Sequence, residues 1–228
     1  MSGKQIKILL AEDHCLMREG ICALLEAEPD FLLTGQAKTG REAVEMARRL
    51  APDVIVMDIA MPMLNGLEAT RQILETDPAA RVLILSAHSD HQYIDRVNAV
   101  GAAGFMEKQM SKEMLARAIR EVAKGNKFAS PSIAIRMRAA RKISPGWASA
   151  SRLTSREAEV LQLVAEGAAN KQVAAELSIS VKTVEKHRQH LMDKLAIHDT
   201  ASLTRYAIAA GVIESSIQPT TTQPGGLA

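Results

Sequence analysis

A chain of 228 residues, 47% hydrophobic and 24% charged, is long enough for two modest domains, each with a core of its own. Only 3% of the residues are aromatic, so those cores rest on aliphatic side chains and 11 methionines. No stretch reaches the roughly 18 uncharged apolar residues that span a bilayer. The polar start MSGKQ runs into an apolar segment too short for export, so a cytoplasmic protein without a membrane partner is expected. The net charge of +2 conceals a division. Residues 1–125 carry 15 Lys and Arg against 18 Asp and Glu, a net −3, and residues 126–228 carry 13 against 8, a net +5. An acidic half followed by a basic half directs the second toward a polyanion.

In chain order, the first half alternates apolar runs with amphipathic ones. Strands are expected over 6–11, 32–37, 54–58, 81–86 and 104–107, with helices over 14–27, 40–50, 65–75, 90–100 and 111–124. Strands without polar alternation suit a parallel sheet covered on both faces, and five β-α repeats with right-handed crossovers give a doubly wound α/β fold. Cys15 and Cys22 stand seven residues apart on the first helix, about 10 Å by helical rise, too far for a disulfide. Residues 1–124 are thus a first domain. Residues 125–150, punctuated by Gly125, Pro131, Pro145 and Gly146, read as a linker with a helix within 132–142. Residues 151–213 are helical throughout, over 155–166, 171–177, 181–195 and 200–210, and 214–228 lacks apolar periodicity and is expected to be disordered.

Chemistry gathers at the strand ends. Ligands of doubly wound sheets bind beyond the carboxyl ends of the strands. Glu12 and Asp13 follow the first strand, Asp58 ends the apolar run VIVMD, Ser86 ends the fourth strand and Lys108 the fifth. Any one of these fits an ordinary solvated loop residue; together they do not. Three crowded acids demand a cation, and hard oxygen ligands suit Mg²⁺. A carboxylate beside Mg²⁺ and an ammonium is equipped to accept a phosphoryl group.

These residues carry a resemblance. AED at 11–13, MDIAMPMLNG at 57–66, SAH at 86–88 and GAAGFMEK at 101–108 resemble the receiver domain of two-component response regulators over residues 5–122. The resemblance implies a flavodoxin-like five-stranded sheet of order 2-1-3-4-5. It implies that Asp58 accepts phosphate from a sensor histidine kinase, and that Glu12, Asp13, Asp58 and the Ala60 carbonyl frame a Mg²⁺ site. It further implies that Ser86 and Lys108 contact the phosphoryl group, and that Phe105 is a switch aromatic turning inward. The chain departs from the family in Glu12 where an aspartate is common, in Phe105 where tyrosine is common, and in Gln109 where a proline, with a cis peptide, usually follows the lysine.

In the basic half, Thr154 with Glu157 forms a capping-box pattern, and Asn170 and Ser180 are expected N-caps. SIS at 178–180 joins two helices at helix-turn-helix spacing. Val181, Val184, Leu191 and Leu195 line one face of the second helix; Lys182, Glu185, Lys186 and Gln189 line the other, which fits either a solvated surface or a helix lying in a major groove. LTSREAEVLQLVAEG and the sequence from Asn170 to Leu195 resemble the LuxR-type helix-turn-helix, and the whole chain resembles the NarL/FixJ subfamily of transcription factors. By that resemblance Lys182, Glu185, Lys186 and Gln189 are base contacts, and Lys171, Thr183 and Arg188 phosphate contacts. His187 and His190 have no evident acidic or thiol partner and are read as packing residues. The partners implied are a sensor histidine kinase, double-stranded DNA at paired half-sites, a second copy of the chain in a phosphorylation-dependent homodimer, and RNA polymerase. The unphosphorylated first domain is expected to pack on the second and hide the helix 181–195. Two other readings are a phosphorylation-independent dimerisation module and an aspartyl-phosphate enzyme; dehalogenase-type phosphatases need an aspartate where Ala60 stands, which argues against turnover.

Overall fold

The computed structural model describes residues 4–87, 91–109, 111–140 and 153–213, so the expected tail at 214–228 and the linker core at 143–151 lie outside the described residues. The first domain runs β1 (Ile6–Ala11), α1 (Cys15–Glu26), β2 (Phe31–Ala37), α2 (Gly40–Leu50), β3 (Val54–Asp58), α3 (Gly66–Thr76), β4 (Val82–Ser86), α4 (His91–Ala99), β5 (Gly104–Glu107) and α5 (Lys112–Ala123). All its strands are parallel, and β3 and β4 are buried at every position, as uninterrupted apolar runs require. Two apolar layers flank the sheet. Leu9, Ile55, Met57 and Ile84 face α2, α3 and α4, while Ile8, Leu10, Val56 and Leu85 face α1 and α5. Cys15 and Cys22 are free thiols.

The sheet has six strands, not five. Its order is β2-β1-β3-β4-β5-β6, because β6 (Phe128–Ala129) pairs parallel to β5. Gly125, at φ +89, takes the left-handed conformation that ends α5, and the chain turns back beside β5. α6 (Pro131–Ala140) follows, and Ile133 is fully buried in the same cluster as Phe105, Ile94 and Val97. Residues expected to be linker therefore complete the first domain. A two-residue strand has too little pattern for periodicity to reveal it.

The second domain contains α7 (Ser155–Ala165), α8 (Asn170–Leu177), α9 (Val181–Leu195) and α10 (Thr200–Ala209) around Val160, Leu161, Val173, Val184, Leu191 and Leu203. Both bonds of the Thr154–Glu157 capping box form, and Ser180 caps α9. Asn170 is not a cap: Ala169 occupies that position, its N–H donating to the Gln172 side chain, while Asn170 starts the helix and accepts from Arg188. Among the described residues no helix is long and apolar enough to cross a membrane.

Candidate functional site

The carboxyl edge of the sheet brings the sequence-expected groups together. Asp58, 1% exposed, and Glu12, fully buried, sit at the ends of β3 and β1, and Lys108 follows β5. The Lys108 ammonium lies 2.9 Å from Asp58 Oδ2 and 2.9 Å from Glu12 Oε2. Its backbone N–H donates to the Ser86 carbonyl at 2.8 Å, fixing the lysine beside the buried Ser86. Burial pushes the Asp58 carboxyl up to about 6; Lys108 opposes that rise and Glu12 adds to it. For Lys108 burial works against the charge, but Asp58 and Glu12 outweigh it and the ammonium is held above its ordinary value.

One ligand atom from each of Glu12, Asp13, His14 and Asp58 falls within a 4.8 Å group, the Glu12 side chain included. Glu12 Oε2 and Asp58 Oδ2 are buried and share the Lys108 ammonium, and Asp13 Oδ1, also buried, meets His14 Nδ1. Three carboxylates set against one buried ammonium fit a divalent cation such as Mg²⁺. His14, which was not among the expected residues, adds a largely exposed imidazole with Nδ1 3.1 Å from Asp13 Oδ1. Arg18 was also missed: 8% exposed, it donates to the Glu12 and Asp13 carbonyls at 3.0 and 3.1 Å and fastens the acidic loop. A signal existed, because Arg18 lies on the same face of α1 as the buried Ile21, Cys22 and Leu25.

The loop from Ile59 to Asn65 joins Asp58 to α3. Gly66 closes it, its N–H donating to the Ile59 carbonyl, and a Cβ there would fall 1.8 Å from the Asp58 carbonyl oxygen, so only glycine fits. Ala60 is half-buried on this loop, and its N–H supports the Asp58 carboxylate. Phe105 is buried, 3% exposed, in the cluster that holds Ile133. No cis peptide occurs among the described residues, the Lys108–Gln109 bond included.

On α9, Lys182, Glu185, Lys186 and Gln189 are exposed and Val184 and Leu191 buried, the division the sequence implied, although Val181 remains 36% exposed. Lys171 is exposed and Thr183 partly so. Arg188 differs from expectation: it donates to Asn170 Oδ1 at 2.7 Å and Thr200 Oγ1 at 3.1 Å, bridging α8, α9 and α10. The two domains are joined elsewhere. Hydrogen bonds from α2, α3 and the loop 59–65 reach α7, the end of α8 and Val212, leaving the outer face of α9 open. The expectation that docking hides α9 fails for this reason.

Comparison with known proteins finds a match to each half of the chain. The response regulator receiver domain model matches residues 8–120, and the model for bacterial regulatory proteins of the luxR family matches residues 151–207. The chain is 33% identical over 230 residues to the transcriptional regulatory protein DegU of Brevibacillus brevis, covering 94% of this chain and 98% of that protein. It is 36% identical over 203 residues to the transcriptional regulatory protein LiaR of Bacillus subtilis, covering 89% and 96%. Among solved structures, a LuxR-family two-component response regulator from Aurantimonas matches with a TM-score of 0.59 at 33% identity, over 61% of this chain and all of that one. The RcsB response regulator of Salmonella typhimurium shares the fold, with a TM-score of 0.56 at 22% identity over 91% of this chain and all of that one.

Proposed function

The chain belongs to the response regulators that join a receiver domain to a LuxR-type DNA-binding domain, and from that premise we propose that Asp58 is the phosphoacceptor through which a sensor histidine kinase governs DNA binding and dimerisation. The observation that carries this reading is the buried Asp58–Lys108–Glu12 constellation with the Asp13 carboxylate beside it. Asp58 attacks the phosphorus of a phosphohistidine: a new P–O bond forms at its carboxylate, the P–N bond breaks, and the imidazole leaves with the electron pair. Glu12, Asp13, Asp58 and the Ala60 carbonyl would hold Mg²⁺, which when bound supplies the positive charge that the transferring phosphoryl oxygens require. Lys108 moves its ammonium from Glu12 to the phosphoryl oxygens, and Ser86 donates its hydroxyl to them.

Exposed Leu16, Met17 and Leu24 on α1, beside the acids, offer the kinase an apolar docking face. In the second domain Lys182, Glu185, Lys186 and Gln189 read base edges in the major groove, and Lys171 and Thr183 hold phosphates. Arg188, tied to Asn170 and Thr200, supports the helix packing instead. A phosphorylated dimer reads two half-sites about one DNA turn apart and acts on RNA polymerase in the cytoplasm. The chain turns over no external substrate in this reading, since the dehalogenase acid/base position is Ala60.

The test is intact-protein mass after acetyl phosphate and Mg²⁺, wild type beside Asp58→Asn. One added phosphoryl group in wild type alone supports the reading; none in folded wild type and none from a cognate kinase refutes it and favours the phosphorylation-independent module.

A further inference from the structure

Val181 is the one outward residue of α9 that neither the core nor the polar contacts absorb. Its spacing with Val184 and Leu191 suits the apolar stripe, yet those two are fully buried and Val181 is 36% exposed. No other large apolar side chain of α9 is exposed to that degree. Val181 stands one turn before Glu185 and about 40° from it around the axis. It therefore lies between the buried stripe and the exposed face of Lys182, Glu185, Lys186 and Gln189. A single exposed valine is ordinary on a protein surface. This one borders the face proposed to enter a major groove.

The first turn of α9 is fixed before any contact is made. Ser180 Oγ accepts from the Thr183 backbone N–H at 3.1 Å and lies 2.8 Å from Thr183 Oγ1. Side chains of a helix tilt toward its N-terminus, so that of Val181, the first helical residue, projects from the leading end. Recognition helices meet base edges with their N-terminal residues. A β-branched side chain on a helix has one strongly preferred χ1, which leaves little rotamer freedom to lose on contact. The same branching makes valine a poorer helix former than alanine, lysine or glutamate, so helix stability gives no reason for it here.

The chemistry of the groove names the occupant. The major groove presents hydrogen-bonding edges and one apolar feature, the C5-methyl of thymine. Lys182 and Lys186 suit the guanine acceptors, Glu185 the cytosine amino group and Gln189 the adenine edge, and none of them addresses that methyl. We propose that Val181 is a specificity-determining residue of the DNA-binding domain, packing its branched side chain on the C5-methyl of one thymine in each half-site. The proposal rests on the reading of α9 as the helix in the major groove and adds the base feature that its polar contacts leave unread. Residues four apart on a helix stand about 5 to 6 Å from one another and successive bases about 3.4 Å. The thymine therefore lies one or two base steps from the pair met by Glu185. Val181 is not part of the apolar cluster that Val184 and Leu191 share, so its truncation leaves that cluster in place.

The experiment uses the full chain, after incubation with acetyl phosphate and Mg²⁺, as wild type, Val181→Ala and Val181→Ile, with thermal unfolding to establish that each folds. The probe is the duplex that wild type enriches from a random-sequence pool, remade with deoxyuridine in place of each thymine in turn. Uracil pairs as thymine does and lacks only the methyl. Anisotropy gives the affinities and sedimentation the self-association. In wild type, one thymine of each half-site should show a loss of about fourfold on replacement, equivalent to about 0.8 kcal/mol for one methyl. Val181→Ile should keep that factor and Val181→Ala should erase it. The same thymine should lie one or two base steps from the pair whose identity Glu185→Ala relaxes. Indifference of wild type to every replacement overturns the proposal. So does a fourfold loss that persists in Val181→Ala, since another residue then reads the methyl. An equal loss by Val181→Ala on the thymine and deoxyuridine duplexes, with weaker self-association, assigns Val181 to a contact with a second copy and overturns it too. If wild type enriches no sequence at all, the reading of α9 itself fails and the methyl contact falls with it; a selected duplex without a methyl effect refutes the contact alone.

Discussion

Lys108 Nζ stands 2.9 Å from Asp58 Oδ2, an ammonium from the end of β5 set against a carboxylate from the end of β3, with β4 between them. The pair is only partly balanced, because Lys108 is shared with Glu12 at 2.9 Å. One cation between two buried carboxylates leaves a net negative charge where solvent cannot reach it. Burial raises Asp58, with Glu12 adding to the rise, and the uncompensated charge gives the site its appetite for a divalent cation.

A consequence for stability follows from the sign of the shift. The Asp58 carboxyl is pushed up to about 6 in the folded chain against 3.8 for an unhindered aspartate. The folded state therefore binds this proton more tightly than the unfolded state. Its contribution to stability is greatest below about pH 4 and is lost as pH rises through 6. Two units correspond to at most about 3 kcal/mol. Asp58→Asn should therefore raise the urea midpoint of the receiver at pH 7.5 and leave it nearly unchanged at pH 4. Equal midpoints for the two proteins at pH 7.5 would show that Lys108 already neutralises the site.

Arg18 holds the acidic loop by its carbonyls, not by its carboxylates. Arg18→Leu keeps the apolar face of α1 continuous but leaves the buried Glu12 carbonyl and the part-buried Asp13 carbonyl without this donor, at about 1 to 3 kcal/mol. Mg²⁺ half-saturation should rise about tenfold, equivalent to about 1.4 kcal/mol of lost orientation, and Arg18→Lys should recover part of it. Calorimetric Mg²⁺ titration checks this; lower stability with unaltered Mg²⁺ affinity would confine Arg18 to folding.

The sixth strand predicts where the receiver can be cut. Ser130 N–H donates to the Phe105 carbonyl, Ser132 Oγ to the Glu107 carboxylate at 2.6 Å, and Ile133 is fully buried. Ile133→Ala should cost about 2 to 5 kcal/mol. A receiver ending at Lys124 should melt well below one ending at Ala140, as read by circular dichroism. Identical melting would place β6 and α6 outside the cooperative unit.

Two cations of α9 should behave differently. Lys186→Ala removes an exposed side chain and should weaken binding to the specific promoter by about 1 to 3 kcal/mol, with the melting temperature unchanged. Arg188→Ala breaks the bridge to Asn170 and Thr200 and should lower the melting temperature of the second domain. Mobility shift and calorimetry on both variants separate the roles; a melting loss in Lys186→Ala alone would reverse them.

Much of this protein is legible in its sequence because the deciding interactions are local. Apolar runs such as VIVMD can only be buried strands, the Thr154–Glu157 capping box closes within one turn, and the order of acids and lysine along the repeats sends them to one edge of any right-handed parallel sheet. Arg18 was there to be read as well, a charge on an apolar helix face. Other features depend on partners far away in the chain. β6 exists because β5 offers an unpaired edge to two residues that carry no pattern, and Phe105 shares its apolar cluster with Ile133 from the helix that follows. Arg188 bonds Asn170 and Thr200 because the fold set both within its reach. Gln162, an unremarkable amide in EVLQLVA, became the four-bonded link between domains through Met61 and Asn65, about a hundred residues earlier. The sequence by itself determined which elements form and which edge collects the charge, since helix periods, caps and crossover handedness are fixed by neighbouring residues. Only the tertiary structure decided which side chains are committed inside the molecule and which stay free to meet DNA, because burial and hydrogen-bond partnership belong to pairs of surfaces that chain proximity does not specify.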